Sequence, residues 1–495
     1  MPRKKKTGTE DLHPMHPRRV LAEWRAQKPV PGDMGPEPEH HARVYRRDFW
    51  GPDKLELLKR ATWRRGKPLS NAEGVPAYVE IFPTLANGYA YVYPSGNAAY
   101  AGWAKLDELL ATNYPGVTTA RDSALLDEDR PALEARMKRY FNPSVTDDAV
   151  ADMAPALMKA SARFDPVETR RVLLAMGMDS GRVIRCLRRP FDAVWLYWHP
   201  ETKLLDEKRS DYLPHVGPGN IWLTAAPQNR KAYSPPIVTT SFAAYHVIER
   251  GAKWFPLFLR GGEGLFAGSG WTPNLGPRAA EWLRDAKRAP LDLFHLIVAL
   301  THAPAYARDN AEALRLDWPR VPLPTDKKLV DPLVALGAKL AALLDLETPV
   351  AHAKKSFGIA RAVHGGAGEF EVRANWGYVD GRGSVMPGQG DARPRDATDA
   401  ERKALGLAFD LLGPGMRDVY LDERAHVAGV PEKVWSYTLG GYLVLKKWLS
   451  YRERAVLGRN LRVEEVEAFC DIARRIASIL ALGPDLDRAY EAAKA

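Results

Sequence analysis

Cysteine is scarce in this sequence, whose 495 residues contain only Cys186 and Cys470. The two lie far apart and belong to no Cys-x-x-Cys pair or Cys/His ligand spacing, which argues against a structural zinc site and a disulfide framework. No apolar run approaches the roughly 18 residues of a membrane span, and the basic start of the chain lacks the apolar stretch of a secretion signal. We therefore expect a cytoplasmic protein with no membrane partner.

Complete catalytic motifs are also missing. There is no Gly-x-x-x-x-Gly-Lys-Ser/Thr phosphate loop, which argues against a helicase motor. Asp192 followed by Glu201 and Lys203 has the spacing of a Mg²⁺-dependent nuclease. However, Phe191 stands where that motif has proline, so chance remains a rival explanation and we predict no metal site.

Two segments only partly match the site of an amino-methyltransferase. Gly268 and Gly270 resemble the cofactor-binding turn, but no strand ending in Asp precedes them. Ser234 begins a Ser-Pro-Pro run like the catalytic motif, in which an aromatic residue stacks on the flipped base. Ile237 replaces that aromatic residue. An autonomous S-adenosylmethionine-dependent methyltransferase stays open as an alternative, against loop glycines and a proline pair at a strand start. For His302 we predict capping or core hydrogen bonding at a helix end.

What the sequence does have is positive charge and tryptophan. Lys and Arg number 71 against 61 Asp and Glu, which gives a net charge of +10. Such a surplus fits a polyanionic partner, although an ordinary basic protein is an equally open interpretation. The 14 Trp residues fit a core, and they also suit stacking on bases.

The hydrophobic patterning predicts an α+β fold, with a strand-rich recognition module flanked by helical segments. Strands are expected over 77–82, 183–187, 193–198, 221–224, 237–240 and 254–259. Helices are expected over 124–140, 146–176 and 291–304, from Asp331-Pro332 onward, and from Val463 to a stop at Gly483-Pro484, with a hairpin at 369–379. The predicted divisions are a disordered basic arm (1–42), a connector that would follow a catalytic domain (43–160), a target-recognition core (161–345) and a C-terminal part (346–495).

Three segments mix basic, amide and aromatic residues in a way that suits DNA. Arg and Lys neutralise phosphates or contact guanine, and Asn pairs with adenine. The candidate DNA-binding residues are Arg188, Arg189, Lys203, Lys208, Arg209, Asn229, Arg230, Lys231, Lys446, Lys447 and Arg452. Ordinary surface charge is the competing explanation for each of them.

The run Arg189–Trp198, followed by Glu201–Arg209, resembles the C-terminal specificity domain of Type ISP restriction-modification enzymes and related fused adenine methyltransferases. Other pieces, on both sides of this run, match the family in their order along the chain: Tyr114–Asp122, His302–Tyr306, Trp318–Pro324, Val434–Tyr442 and Lys446–Leu449. The resemblance spans about residues 43 to 488.

The resemblance implies sequence-specific recognition of double-stranded DNA in support of adenine methylation and phage defence, with no catalytic residues here. A separate methyltransferase chain would then supply catalysis and bind S-adenosylmethionine. The motif side chains Phe191, Asp192, Trp195, Tyr197 and Trp448 are expected to be scaffold rather than base contacts. A non-catalytic assembly protein that keeps this scaffold is the remaining alternative.

Overall fold

The computed structural model describes residues 98–229, 233–248, 251–261, 270–350, 358–364, 370–381 and 383–494, together with four short strands nearer the N-terminus. The chain divides into two compact units, Met1–Tyr93 and Pro94–Ala495. The arm predicted over residues 1–42 lies outside the described residues. The strands of the first unit are β1 (Val44–Arg46), β2 (Trp63–Arg64), β3 (Lys67–Pro68) and β4 (Val79–Ile81). β4 pairs antiparallel with β1 and lies within the predicted strand 77–82.

The second unit combines short strands with helices of very different length. Its strands are β5 (Ala104–Lys105), β6 (Leu126–Asp127), β7 (Val183–Arg189), β8 (Asp192–Tyr197), β9 (Trp222–Ala225), β10 (Ile237–Thr239), β11 (Phe242–Ala243), β12 (Lys253–Pro256), β13 (Phe258–Arg260), β14 (Trp271–Pro273), β15 (Arg320–Val321), β16 (Arg361–Val363), β17 (Gly377–Val379), β18 (Val385–Pro387), β19 (Asp391–Asp396), β20 (Gly415–Tyr420), β21 (His426–Pro431), β22 (Thr438–Leu439) and β23 (Tyr442–Leu443). Its helices are α1 (Leu106–Leu109), α2 (Asp122–Leu125), α3 (Arg130–Tyr140), α4 (Asp147–Met153), α5 (Pro155–Met158), α6 (Pro166–Met176), α7 (Pro277–Ala286), α8 (Pro290–His302), α9 (Pro304–Asp309), α10 (Lys327–Leu344), α11 (Asp399–Leu405), α12 (Ala408–Leu412), α13 (Glu432–Trp435), α14 (Val444–Ser450), α15 (Arg454–Leu457), α16 (Val463–Ala481) and α17 (Gly483–Ala493). This mixture confirms the α+β class.

Small sheets, rather than one large sheet, carry the strands of the second unit. The two four-stranded sheets have the orders β11-β7-β8-β6 and β16-β21-β20-β19, and a three-stranded sheet has the order β10-β9-β12. In the first of these, β7 and β8 form an antiparallel hairpin, and burial alternates along β8 from Asp192 to Leu196. This hairpin positions several predicted site residues.

The long helices pack together through one close approach. α8 is almost wholly apolar and its central residues are buried, which makes it a core helix. It packs along α10 where Gly337 faces the backbone of His295, so closely that a Cβ at Gly337 would lie 1.8 Å from His295 O. Only glycine fits this contact.

Several predicted boundaries need correction. The helix expected over 146–176 is three helices, because Pro155 and Pro166 each open a new one at the first helical position. α10 begins at Lys327 rather than at Asp331-Pro332, since the Asp326 side chain caps it by accepting from Lys328 N. The hairpin expected over 369–379 is formed instead by β17 and β18. α16 begins at Val463 as predicted, but α17 starts at the predicted stop.

Candidate nucleic-acid interface

The turn of the β7–β8 hairpin is buried. Phe191 has a φ of 56°, in the left-handed region that bulky side chains rarely adopt, and its ring is buried. The register shifts between Leu187 and Arg189. Such a bulge re-aims side chains, so that Asp192 points inward while Arg189 stays partly exposed.

Asp192 is the centre of a buried ion-pair network. Arg188 Nε donates to Asp192 Oδ2 at 2.8 Å, and Arg452 Nη1 lies 2.7 Å from Asp192 Oδ1. Arg188 Nη2 also donates to Glu128 Oε1 at 2.7 Å. Burial opposes ionisation of Asp192, but the attraction of Arg188 and Arg452 outweighs it and lowers the pKa of Asp192 to about 2. Asp192 is therefore charged at neutral pH and holds both arginines in the interior.

Four of the candidate DNA-binding residues are buried, two of them within this ion-pair network. The side chains of Arg188 and Arg452 are only 7% and 6% exposed. Lys447 is buried and its Nζ donates to Val385 O at 2.7 Å, and the buried Asn229 donates to Leu314 O at 2.8 Å. A phosphate or base contact requires an accessible donor, so the burial of these four side chains argues against a direct contact to DNA, although a buried cation such as Lys447 still contributes charge near the surface.

The loop after β8 carries three further candidates, two of which form hydrogen bonds within the loop and one of which bonds to a distant segment. Lys203 is exposed, and its Nζ donates to Asp206 O at 3.3 Å. Lys208 donates to Pro200 O, and Arg209 Nε donates to Gly116 O at 3.1 Å. Lys208 and Arg209 are partly buried by these contacts, so Lys203 is the most accessible of the three. The remaining candidates of the second segment, Arg230 and Lys231, lie outside the described residues.

The structure brings parts of the first and third candidate segments together. The guanidinium of Arg189 lies 5.6 Å from the ring centroid of Tyr442 and 6.0 Å from that of Tyr451. Lys447 Nζ lies 4.4 Å from the same Tyr451 ring, and Lys446 is its partly exposed neighbour on α14. We call these five residues, Arg189, Tyr442, Lys446, Lys447 and Tyr451, the Arg189 cluster.

The Arg189 cluster is short of negative charge. Burial, followed by repulsion from Arg189 and Arg188, lowers the pKa of Lys447 to about 8. Among the described residues, no carboxylate forms an ion pair with Arg189, Lys446 or Lys447, because the nearby Asp192 is paired with Arg188 and Arg452. An anion at this surface would offset the repulsion between Lys447 and the two arginines.

The residues expected to be scaffold occupy the core, with one exception. Phe191, Asp192, Tyr197 and Trp448 are all buried. Trp195 is only partly buried, and the guanidinium groups of Arg130 and Arg185 lie 5.1 and 5.0 Å from its ring centroid. These cation–π contacts cover the ring on the surface of the sheet.

The residues of the partial methyltransferase motif make contacts that hold the fold together. Ser234 Oγ accepts from Gly440 N at 2.8 Å, and Ile237 is buried as the first residue of β10. His302 Nε2 donates to Pro236 O at 2.8 Å, which matches the core hydrogen bond predicted for this histidine. Burial lowers the pKa of His302 to about 4, so it is neutral at physiological pH. Gly268 lies outside the described residues, and Gly270 is exposed.

The nuclease-like spacing gives no metal site in the structure. Asp192 is occupied by two arginines, whereas Glu201 and Lys203 are exposed on the following loop. Across the part of the chain that the structure describes, no three His, Cys, Asp or Glu side chains converge as metal ligands.

Among the described helices, none combines the length and apolarity needed to cross a membrane.

Sequence reasoning did not single out the two tyrosines of the Arg189 cluster, or the carboxylate of Glu128 that pairs with Arg188. Tyr442 and Tyr451 flank α14, and Glu128 reaches Arg188 from the loop before α3. The Tyr-Arg-Glu-Arg run that follows α14 was an available signal for Tyr451. No local signal pointed to Glu128, because its partner is distant in the sequence.

Comparison with known proteins gives one family and several similar folds. The model of the Type ISP C-terminal specificity domain matches residues 108–477. The fold is similar to a nuclease-deletion mutant of the Type ISP restriction-modification enzyme LlaGI in complex with a DNA substrate mimic, with TM-score 0.51 and 16% identity over 88% of this chain and 37% of that one. It is also similar to DrdV in a DNA complex, with TM-score 0.52 and 16% identity over 89% of this chain and 42% of that one. No curated protein matches the chain. The chain thus spans less than half of either solved relative.

Proposed function

This chain belongs to the family of Type ISP C-terminal specificity domains, and on that premise we propose that it recognises a specific sequence in double-stranded DNA for a restriction-modification adenine methyltransferase. A methyltransferase catalytic part supplied by a partner chain would bind S-adenosylmethionine and receive the flipped adenine. The present chain would set the register of that machinery on DNA.

The Arg189 cluster is the observation that carries the proposal. It places the partly exposed Arg189 beside two tyrosines that flank α14, the helix that carries the partly exposed Lys446. The buried carboxylate of Asp192 is already paired with two arginines. Phosphate oxygens would supply the missing negative charge, and charge-assisted contacts to phosphate are the main source of protein–DNA affinity. The partly exposed ring of Tyr442 adds a flat surface against which a sugar or base would pack.

The same geometry argues against methyl transfer by the described residues themselves. Ser234 is engaged by Gly440, and the position of the stacking aromatic is held by the buried Ile237. A flipped base would therefore find neither a free acceptor nor a ring at this point. For this reason we assign the chemistry to the partner rather than to this chain.

A salt titration with matched variants tests the proposal. Binding of the full chain to fluorescent duplexes would be followed by anisotropy between low and physiological salt, for the wild type and for Arg189→Gln/Lys446→Gln. Each lost phosphate contact reduces the slope of log K against log salt by about 0.9, so we expect the double variant to lose nearly two units of slope and about tenfold or more in affinity.

Lys159→Gln/Lys339→Gln is the matched control. Both lysines are exposed and neither forms an ion pair with a described carboxylate, so the control removes the same formal charge elsewhere on the surface. An equal loss of slope in both double variants would show that only net charge matters. The absence of any salt-dependent DNA binding by the wild-type chain would overturn the proposal.

A further inference from the structure

The ring of Tyr451 lies close to three cations of the candidate interface. The guanidinium of Arg188 lies 3.7 Å from its centroid, Lys447 Nζ lies 4.4 Å away, and the guanidinium of Arg189 lies 6.0 Å away. A cation within about 6 Å of a ring centroid is attracted by the negative face of the ring, and more strongly where water is excluded. Tyr451 is only 8% exposed, so these contacts are well shielded from water.

Repulsion and burial both oppose the positive charge of Lys447. Arg189 and Arg188 of β7 repel its ammonium, and the attraction of Asp192 of β8 is weaker than either repulsion. The carboxylate of Asp192 is shared between Arg188 and Arg452. The ring of Tyr451 therefore supplies a second attraction for the cations around it.

The other elements around Lys447 offer mainly hydrogen bonds and apolar packing. Val385 O of β18 accepts from Lys447 Nζ at 2.7 Å, and Phe469 of α16 packs on Trp448 of α14. Beside Val385, the carboxylate of Asp380 accepts from the backbone of the hairpin turn at 2.8 Å. The charged groups that act on the ammonium are therefore the two arginines of β7 and the aspartate of β8.

A carboxylate and an aromatic ring would stabilise these cations in different ways. A carboxylate carries a full negative charge, which would cancel part of the positive potential on which phosphate binding depends. A ring has no net charge and attracts cations through its quadrupole. Tyr451 therefore stabilises the positive groups and leaves their summed charge unchanged.

We propose that Tyr451 is a positioning residue of the DNA-binding surface, whose ring holds Arg188, Arg189 and Lys447 together in their charged forms. The inference rests on the proposed function, because it assigns these cations to DNA binding. Arginine keeps its proton in proteins, so the loss of the ring should be felt in the ionisation of Lys447. Lys447 should then release its proton at a lower pH.

Trace acetylation of the full chain at a series of pH values, without DNA and with mass spectrometry, would follow the ionisation of Lys447. The midpoint of its profile should lie near pH 8 in the wild type and in Tyr451→Phe, which keeps the ring. Tyr451→Leu should lower the midpoint by about one pH unit, a tenfold change in the protonation equilibrium. The midpoint does not depend on how slowly a buried amine reacts.

A second series tests the charge of the ring at constant shape. Replacing Tyr451 by phenylalanines that carry increasing numbers of fluorine atoms weakens the negative face of the ring and keeps its packing. The Lys447 midpoint should fall progressively along the series. This result is expected whether or not Tyr451→Leu folds.

DNA binding at pH 8 is the functional readout. Because protonation and binding are linked, anisotropy should show about three- to tenfold weaker binding for Tyr451→Leu and unchanged affinity for Tyr451→Phe. Tyr420→Leu is the matched control, since the guanidinium of Arg393 lies 3.7 Å from the Tyr420 ring in another sheet. The control should keep the Lys447 midpoint and the wild-type affinity.

The outcomes separate this inference from the proposed function. A constant midpoint along the fluorinated series, or an equal shift in Tyr451→Phe and Tyr451→Leu, would overturn the role of the ring. If Tyr451→Leu is less stable in urea but titrates and binds DNA like the wild type, Tyr451 only packs and the inference fails. If the midpoint shifts as expected in a chain that binds no DNA, the proposed function fails instead.

Discussion

Asp192 and Arg452 form a buried ion pair, with Nη1 of the arginine 2.7 Å from Oδ1 of the aspartate and side chains 6% and 1% exposed for Arg452 and Asp192. Asp192 begins β8, whereas Arg452 follows α14. Arg188 binds the other oxygen of the same carboxylate. The pair therefore fastens the sheet that carries Arg189 to the helix that carries Lys446.

Replacing the shared carboxylate should be strongly destabilising. Asp192→Asn leaves two buried guanidinium groups with Glu128 as the remaining carboxylate, and breaking a buried ion pair from one side costs about 3–5 kcal/mol. The measurement is the free energy of unfolding in urea, followed by tryptophan fluorescence. Glu168→Gln breaks an exposed pair with Arg171, and because water screens such a pair, it should leave the free energy of unfolding nearly unchanged. Equal losses in the two variants would contradict the importance of the network.

Acid should destabilise the protein through His302. Its pKa is about 4 in the folded chain, against about 6.5 when unfolded, because burial disfavours the charged ring. The unfolded state therefore binds more protons between these values, and stability falls as pH drops from about 6.5 towards 4, by about 2 kcal/mol at pH 5. His302→Gln, which can still donate to Pro236 O, should show a weaker dependence in urea unfolding at pH 7.5 and pH 5. An unchanged pH dependence in this variant would rule out His302 as the source.

The contact between α8 and α10 should tolerate no side chain at Gly337. Gly337→Ala places a methyl group against His295 O, and overpacking of this kind costs about 1–3 kcal/mol or more. Thermal unfolding followed by circular dichroism would measure the loss. Ala335→Gly, at an exposed position of the same helix, should instead cost about 1 kcal/mol through helix propensity. A stability of Gly337→Ala at or above that of the wild type would contradict the packing.

DNA binding should weaken as pH rises through the pKa of Lys447. In the free chain this pKa is about 8, and a phosphate beside Arg189 would raise it towards its usual value of about 10.5. Binding then takes up a proton above pH 8, so affinity should fall by up to about tenfold between pH 7 and pH 9 at constant ionic strength. Lys447→Arg stays charged throughout and should flatten the curve in anisotropy titrations. The same slope in both proteins would place the titrating group elsewhere.

The sequence predicted those parts of the fold that local periodicity determines. The β7 and β8 strands followed from short runs of β-branched and aromatic residues, and the start of α16 at Val463 followed from a helical pattern. The break at Pro155 was hidden by apolar residues on both sides, and the N-cap at Asp326 was missed in favour of a proline start. Both errors are of boundary rather than of element type.

The candidate site was harder to predict, because its chemistry depends on contacts between distant residues. Arg188 and Arg189 are adjacent and identical in type, yet a bulge and a carboxylate make the first buried and leave the second partly exposed. Likewise Lys446 and Lys447 differ because only the latter faces Val385. Sequence patterns found the right segments, but only packing separates structural cations from accessible ones.

Lysine reactivity in the presence of DNA tests most directly whether the Arg189 cluster is the DNA-binding surface. The full chain would be acetylated briefly with and without saturating duplex DNA, and each lysine quantified by mass spectrometry. We predict that DNA slows acetylation of Lys446 by about threefold or more, since a phosphate contact occludes the amine, while Lys159 and Lys339 react at unchanged rates. Unchanged reactivity of Lys446 under conditions in which DNA is bound would contradict the account.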